Sequence, residues 1–154
     1  WIFVGSTIDA TITLHLRDPA NNPVANYPAE DMWLESVADC HWCIRPCQGG
    51  AIADADTDAN GQTTWTNPLR AGGYSQDLTV VMIAGSPLTS GPGLNIMHNS
   101  PDINGDGAVN LSDVSFFSAD FFGGYSFRSD FQYDGVVNLS DVSKIAQSIG
   151  ASCP

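Results

Sequence analysis

Residues 102–113 read DINGDGAVNLSD, and residues 130–141 read DFQYDGVVNLSD. The two phrases start 28 positions apart, and both run on into the shared string VNLSDVS. In each, side-chain oxygens stand at positions 1, 3, 5, 9 and 12, and glycine stands at position 6. A twelve-residue calcium loop uses this pattern, adding the main-chain carbonyl of position 7 and turning sharply at its glycine. The first copy offers Asp102, Asn104, Asp106, the carbonyl of Ala108, Asn110 and Asp113, with Gly107 at the turn. The second offers Asp130, Gln132, Asp134, the carbonyl of Val136, Asn138 and Asp141, with Gly135. Ca²⁺ is a hard cation that takes about six to eight oxygens, so each copy is expected to hold one structural ion. A single such phrase reads equally well as an acidic turn. Two matched copies favour calcium.

An EF-hand loop followed by one helix, repeated after a short connection with Asp at position 12, resembles a dockerin module. The resemblance covers about residues 102–150 and implies a two-helix (F-hand) calcium unit that docks into cohesin β-sandwiches. Gln132 departs from the Asn or Asp usual at that position, which implies a second site that is weaker or uses a longer reach. Positions 10 and 11 are Leu111-Ser112 and Leu139-Ser140 rather than the Ser/Thr and Lys/Arg pattern many dockerins present to cohesin.

The 154 residues suffice for one compact domain or two small ones. Five basic residues face seventeen acidic ones, for a formal charge of −12. Six of the acids lie in the two loops, where two Ca²⁺ ions would offset four negative charges. Nucleic acid is not an expected partner, because phosphate binding needs a basic face. No apolar run is long enough to span a membrane. The sequence opens on Trp1 rather than Met, which suits a mature, secreted product whose leader has been removed.

Cys40, Cys43, Cys47 and Cys153 form an even set, so two disulfides are expected from three possible pairings. Three of them crowd loop 38–50, so complete pairing takes Cys153 back to that loop; Cys47–Cys153 with Cys40–Cys43 is favoured. A zinc site from Cys40, His41, Cys43 and Cys47 is the rival, but adjacent residues 40 and 41 fit one tetrahedron poorly.

Residues 1–98 read as β structure. Residues 7–17 (TIDATITLHLR) alternate apolar and polar, as a half-buried strand does. Residues 32–37, 62–66, 77–84 and 94–98 supply further strands, separated by turn chemistry such as DPANNP at 18–23. Short strands spaced by turns point to a β-sandwich. Residues 56–61 (DTDANG) hint at a third calcium loop, but its position 12 is Asn67, so a hairpin turn is the preferred reading. Over residues 7–84, LRDPANNPVANYPAE, TDANGQTTWT and GGYSQDLTVVM resemble bacterial immunoglobulin-like domains of the invasin type. That resemblance implies a spacer or adhesive module without catalysis. The expected fold is therefore mainly β with a small α module: an immunoglobulin-like β-sandwich over 1–98, then a dockerin-like calcium module over 99–154.

Leu111, Val114, Phe117 and Phe121 form one apolar stripe, and Leu139, Val142, Ile145 and Ile149 repeat its offsets. The helices are expected to end at Gly123-Gly124 and Gly150, with the stripes packed on each other. Phe116, Phe122, Tyr125 and Phe127 are surplus aromatics, expected to fill the contact with the sandwich or to form an exposed binding patch. The short connection into Asp102, stiffened by Pro101, places the calcium module against the sandwich. The Ser and Thr of residues 85–93 (GSPLTSGPG) are candidates for O-linked glycan. The sequons at Asn110 and Asn138 are discounted, because both asparagines are loop positions.

His15, His41 and His98 have no nucleophile motif beside them, and Glu30 and Glu35 are the only glutamates, so no enzyme is expected. The leading expectation is a secreted calcium-binding structural protein that self-associates into an extracellular filament or surface layer. Residues 1–4 (WIFV) read either as a strand that pairs with the sheet edge of another copy or as the first strand of the chain's own sandwich. The alternative is an anchoring module for a cohesin-like receptor on another protein, with the sandwich as spacer. A sugar platform on Trp33, Trp42 or Trp65 is the third reading.

Overall fold

The computed structural model describes residues 11–36, 45–66, 70–76, 78–91 and 93–153. Residues 1–4, Cys40, His41, Trp42 and Cys43 lie outside the described residues. In chain order the strands are β1 (Ile12–His15), β2 (Met32–Ser36), β3 (Arg45–Pro46), β4 (Gln62–Trp65) and β5 (Ala71–Gly72). They continue with β6 (Tyr74–Ser75), β7 (Thr79–Ile83), β8 (Ser86–Pro87) and β9 (His98–Asn99), followed by helices α1 (Leu111–Gly123) and α2 (Leu139–Ser148). The strands make small antiparallel sheets, β1–β4, β2–β7–β8, β3–β5 and β6–β9. The fold is mixed, with the strands first and the helices last. No helix among the described residues is long and apolar enough to cross a membrane.

Alternation sets which faces are buried. Leu14 and Leu16 point inward from the first strand and its extension, and Met32 and Leu34 do so from β2. With Ala51, Ala53 and Trp65 they form the core of the β-rich part. The indole N–H of Trp65 donates to the carbonyl of Ala51 at 2.9 Å, and the side chain is 4% exposed. Trp65 is therefore core rather than a sugar platform. Trp33 is half-buried and donates to Glu35 Oε2 at 3.0 Å.

Two turns use the same aspartate device. Asp18 Oδ1 accepts from the amides of Ala20 and Asn22 at 2.9 and 2.8 Å. Asp58 Oδ1 accepts from Asn60 and Gln62, both at 2.8 Å. An aspartate satisfying amides two and four residues ahead is turn chemistry. The Gln62 amide, above all, holds the Asp58 carboxyl below its ordinary range. DTDANG is thus a turn closed on itself.

The helical part has its own core of Ile103, Val109, Phe117 and Ile145, flanked by Phe121, Phe131, Val137 and Val142. Phe117 stacks on Phe131 with ring centres 5.9 Å apart. One expectation needs correction here. Leu111, Leu139 and Ile149 do not complete the apolar stripes; they are 80%, 75% and 53% exposed. Leu111 and Leu139 are the first residues of their helices and sit beyond the edge of the core. The space is filled instead by loop positions 2 and 8: Ile103 and Val109 in the first copy, Phe131 and Val137 in the second. The surplus aromatics divide. Phe127 is buried and Phe116 half-buried, whereas Phe122 and Tyr125 are 85% and 58% exposed.

The two parts are joined covalently and by hydrogen bonds. Cys47 is bonded to Cys153, with Cα atoms 5.3 Å apart, as the favoured pairing has it. The amide of Gly73 donates to the carbonyl of Asp102 at 2.6 Å. Ser152 forms a bridge with Ala108, so the end of the described chain pairs with the first loop.

Candidate metal centre

Each loop wraps its chain around its own carboxylates. In the first, Asp102 Oδ1 accepts from the Asp106 amide at 3.1 Å and Oδ2 from the Gly107 amide at 2.9 Å. Asp113 Oδ1 accepts from Asn104 at 3.2 Å and Oδ2 from Asn110 at 2.9 Å. Asp106 Oδ1 accepts from Ala108 at 3.0 Å, and Asn104 Oδ1 accepts from Asp106 at 2.9 Å. The second loop repeats this frame. Asp130 accepts from Asp134 at 3.1 Å and Gly135 at 2.9 Å, and Asp134 accepts from Val136 at 3.0 Å. Asp141 accepts from Phe131 at 2.8 Å and Asn138 at 2.9 Å.

The local sequence explains the shape. Gly107 and Gly135 have φ of 91° and 83°, a region that favours glycine, and these bends turn the chain back toward position 1. Asn110 and Asn138 are the N-caps of α1 and α2, and Asp113 and Asp141 close a capping box with them. Positions 9 and 12 therefore also start the helix. The Asn110 side-chain oxygen already accepts from Ser112 at 2.8 Å and that of Asn138 from Ser140 at 2.7 Å. Direct ligation from position 9 would compete with the cap, which suits a water between it and an ion.

The donor chemistry fits a hard cation. Asp102, Asp113, Asp130 and Asp141 are between 0% and 5% exposed. Among the described residues none of the six loop carboxylates is ion-paired to a basic side chain; the ion pair there is Arg128–Asp120, at 2.7 Å. Burying carboxylates without an opposite charge costs several kcal/mol or more. Burial accordingly raises the Asp102 carboxyl, with Asp113 and Asp106 adding repulsion, and raises Asp141, with Asp130 adding. Asp106, exposed and held by the Asn104 side-chain amide, is lowered. A carboxylate oxygen has about two lone pairs, and one amide bond on each oxygen of Asp102 and Asp113 leaves capacity for a ligand bond. Among the described residues no three acidic, histidine or cysteine side chains converge into a ready metal cage. The donors are a mixed set of carboxylate, amide and carbonyl oxygens.

The twelve expected site residues fall into two local groups, one per loop. Gln132 is the outlier: its side chain is exposed, while its main-chain amide is among those holding Asp141. Sequence reasoning missed Tyr125, whose hydroxyl donates to Asp130 Oδ2 at 3.2 Å. It also missed Asn99, whose amide donates to the carbonyls of Phe127 and Asp130 at 2.7 and 2.6 Å. Neither contact had a counterpart at the first loop, where Met97 stands at the position matching Tyr125, so nothing in the repeat signalled them. Compared with known proteins, the chain matches no family model, and no curated protein or solved structure is similar to it.

Proposed function

We propose that this is a secreted calcium-binding assembly protein. An immunoglobulin-like sandwich and a dockerin-like module together make a unit that polymerises into an extracellular filament or surface layer. What carries this reading is the repeated loop: two matched frames, each with buried carboxylates at positions 1 and 12 and no basic partner among the described residues. Ca²⁺ neutralises those charges and supplies folding free energy to a helical part whose own core is small. Its role is structural, and no catalysis is assigned to the chain. The β-rich part, with several short antiparallel strands around one core, supports the sandwich reading.

Self-association follows from pairing a plug with a β-sandwich in one chain. Such a contact is heterologous and grows a fibre unless its rotation closes a ring. Exposed Phe122 and Tyr125 at the end of α1 supply apolar surface for it. A second reading has its own observation. Leu111 and Leu139, at position 10 of the two loops, are both exposed on the helical part and suit docking into a cohesin-like receptor.

Light scattering and negative-stain microscopy of the purified protein, in millimolar Ca²⁺ and then with excess chelator, separate the two. Ordered polymers that disperse on chelation are expected. A monomer in both conditions that only loses helix would remove self-assembly and leave the receptor reading.

A further inference from the structure

The two loops match in sequence but not in surroundings. The first is held by residues outside it at five positions, among them position 8, where Val109 exchanges hydrogen bonds with Ala151 and Gly150 at 2.8 and 2.9 Å. At position 1, the amide of Gly73 donates to the carbonyl of Asp102 at 2.6 Å. The β5 backbone at Gly72 lies so close to the Asp102 carboxylate that a Cβ there would overlap Oδ2 and sit 2.7 Å from Cγ. At position 4, Gly105 packs beside the Arg45 side chain, and Arg45 pairs with Gly72 across the β3–β5 ladder. At positions 6 and 7, the Cys153 amide donates to the Gly107 carbonyl at 2.8 Å, and Ser152 bridges Ala108. Cys153 is in turn bonded to Cys47, whose amide donates to Arg70 at 2.8 Å, just before β5.

The second loop has fewer such supports. A Cβ on Gly135 would meet no atom within 4 Å, and Val136 is 55% exposed. Contact with the β-rich part runs through Asn99, which reaches the main chain of Asp130 and whose amide donates to the Tyr133 hydroxyl at 3.3 Å. Neither contact confines the Asp130 carboxylate.

We infer that Gly72 is a positioning residue for the first calcium site, with the Cys47–Cys153 bond as its second brace, so the β-rich part sets the affinity of that loop and not of the other. The inference rests on the calcium reading of the loops. An open strand position at 72 lets β5 press its main chain against Asp102, fixing the carboxylate that Gly107 also holds. A side chain there displaces the ligand. Cleaving the disulfide frees the 150–153 segment and, with it, the turn at Gly107 and the carbonyl of Ala108.

Two amides report the sites separately. Gly107 donates to Asp102 and Gly135 to Asp130, each at 2.9 Å, so each resonance follows its own loop. The experiment is a Ca²⁺ titration of the full, ¹⁵N-labelled chain as wild type, as Gly72→Ala, and as wild type after reduction. Outer-shell changes cost metal sites about 10- to 100-fold in affinity, so the Gly107 midpoint should rise by at least about tenfold while Gly135 stays within about twofold. That selective shift, in the variant or on reduction, supports the assignment. Reduction serves as the test if Gly72→Ala fails to fold. Equal shifts at both loops, or no shift at Gly107 under either perturbation, overturns it. If neither amide of the wild type responds to Ca²⁺, the calcium reading itself fails and the inference falls with it.

Discussion

The side-chain amide of Asn99 donates to the main-chain carbonyl of Asp130 at 2.6 Å, tying β9 to the first residue of the second loop. The same nitrogen reaches the carbonyl of Phe127 at 2.7 Å, so one side chain closes two turns of a neighbouring segment. Asn99→Ala would leave both acceptors without this partner. The expected loss is about 1–3 kcal/mol of stability, read by urea unfolding in saturating Ca²⁺. An unchanged midpoint would show that water replaces the amide without cost.

Asp141 serves two purposes, as N3 of α2 and as position 12 of its loop. Asp141→Ala should cost about 1 kcal/mol in chelator, from the lost cap alone. The loss in Ca²⁺ should be larger, because a buried ligand is removed as well. Comparing the two urea midpoints measures the difference. Equal losses in both conditions would confine Asp141 to capping.

Chelation should unfold the helical part before the β-rich part. The core of the helical part is four residues with flanking aromatics, and it surrounds loops dense in carboxylate. In chelator, the helical signal in far-UV circular dichroism should be lost at a lower urea concentration than the fluorescence of Trp65, buried in the other core. Simultaneous loss of both signals would mean that the parts unfold as one.

Asp120 accepts from Arg128 Nε and Nη2 at 2.7 and 2.9 Å and from Ser129 Oγ at 2.6 Å. Burial pushes its carboxyl up, but the bonds from Arg128 and Ser129 outweigh that and leave it below 3.8. A depressed folded value means stability that is complete above 3.8 and is lost as pH falls through the folded value. Asp120→Asn should cost about 1.5–3 kcal/mol at neutral pH and flatten the acid limb of a stability-against-pH curve. A variant with an unchanged acid limb would assign that limb to other carboxyls.

His98 works with the opposite charge. Burial lowers its imidazole below 6.5, only partly countered by a backbone hydrogen bond at Ala71, and among the described residues Nε2 has no hydrogen-bond partner. Below 6.5 the unfolded chain takes a proton that the folded chain refuses, so stability is complete above 6.5 and falls as pH drops toward the folded value. His98→Gln should remove that dependence. Melting temperatures between pH 7.5 and 5.5, in saturating Ca²⁺, provide the check.

The loops were legible because their chemistry is local. The carboxylate and amide positions that build the hydrogen-bond frame, the turn glycine and the helix cap are all encoded within twelve residues. The buried ends of the helical stripes were not legible. Counting from Leu111 and Leu139 treats a helix start as core, whereas loop positions 2 and 8 had already filled that space. The strands were legible where alternation exists, as at Leu14, Leu16, Met32 and Leu34, and invisible where it does not. Two-residue ladders such as Arg45–Pro46 with Ala71–Gly72 carry no period to read. Contacts across distance, such as Gly72 with Asp102, leave no mark in either segment alone.

The Cys47–Cys153 bond also decides what the molecule does under tension. It joins residues 106 positions apart, so a pull applied before residue 47 and after residue 153 passes through sulfur and bypasses everything between. At about 3.3–3.6 Å per extended residue, roughly 350 Å of slack is withheld. Both twelve-residue loops and the β7–β8 pair lie inside that shielded arc, whereas β2 lies outside it. Stretched along this path, the chain would yield first at β1 and β2, and only a reductant would release the rest.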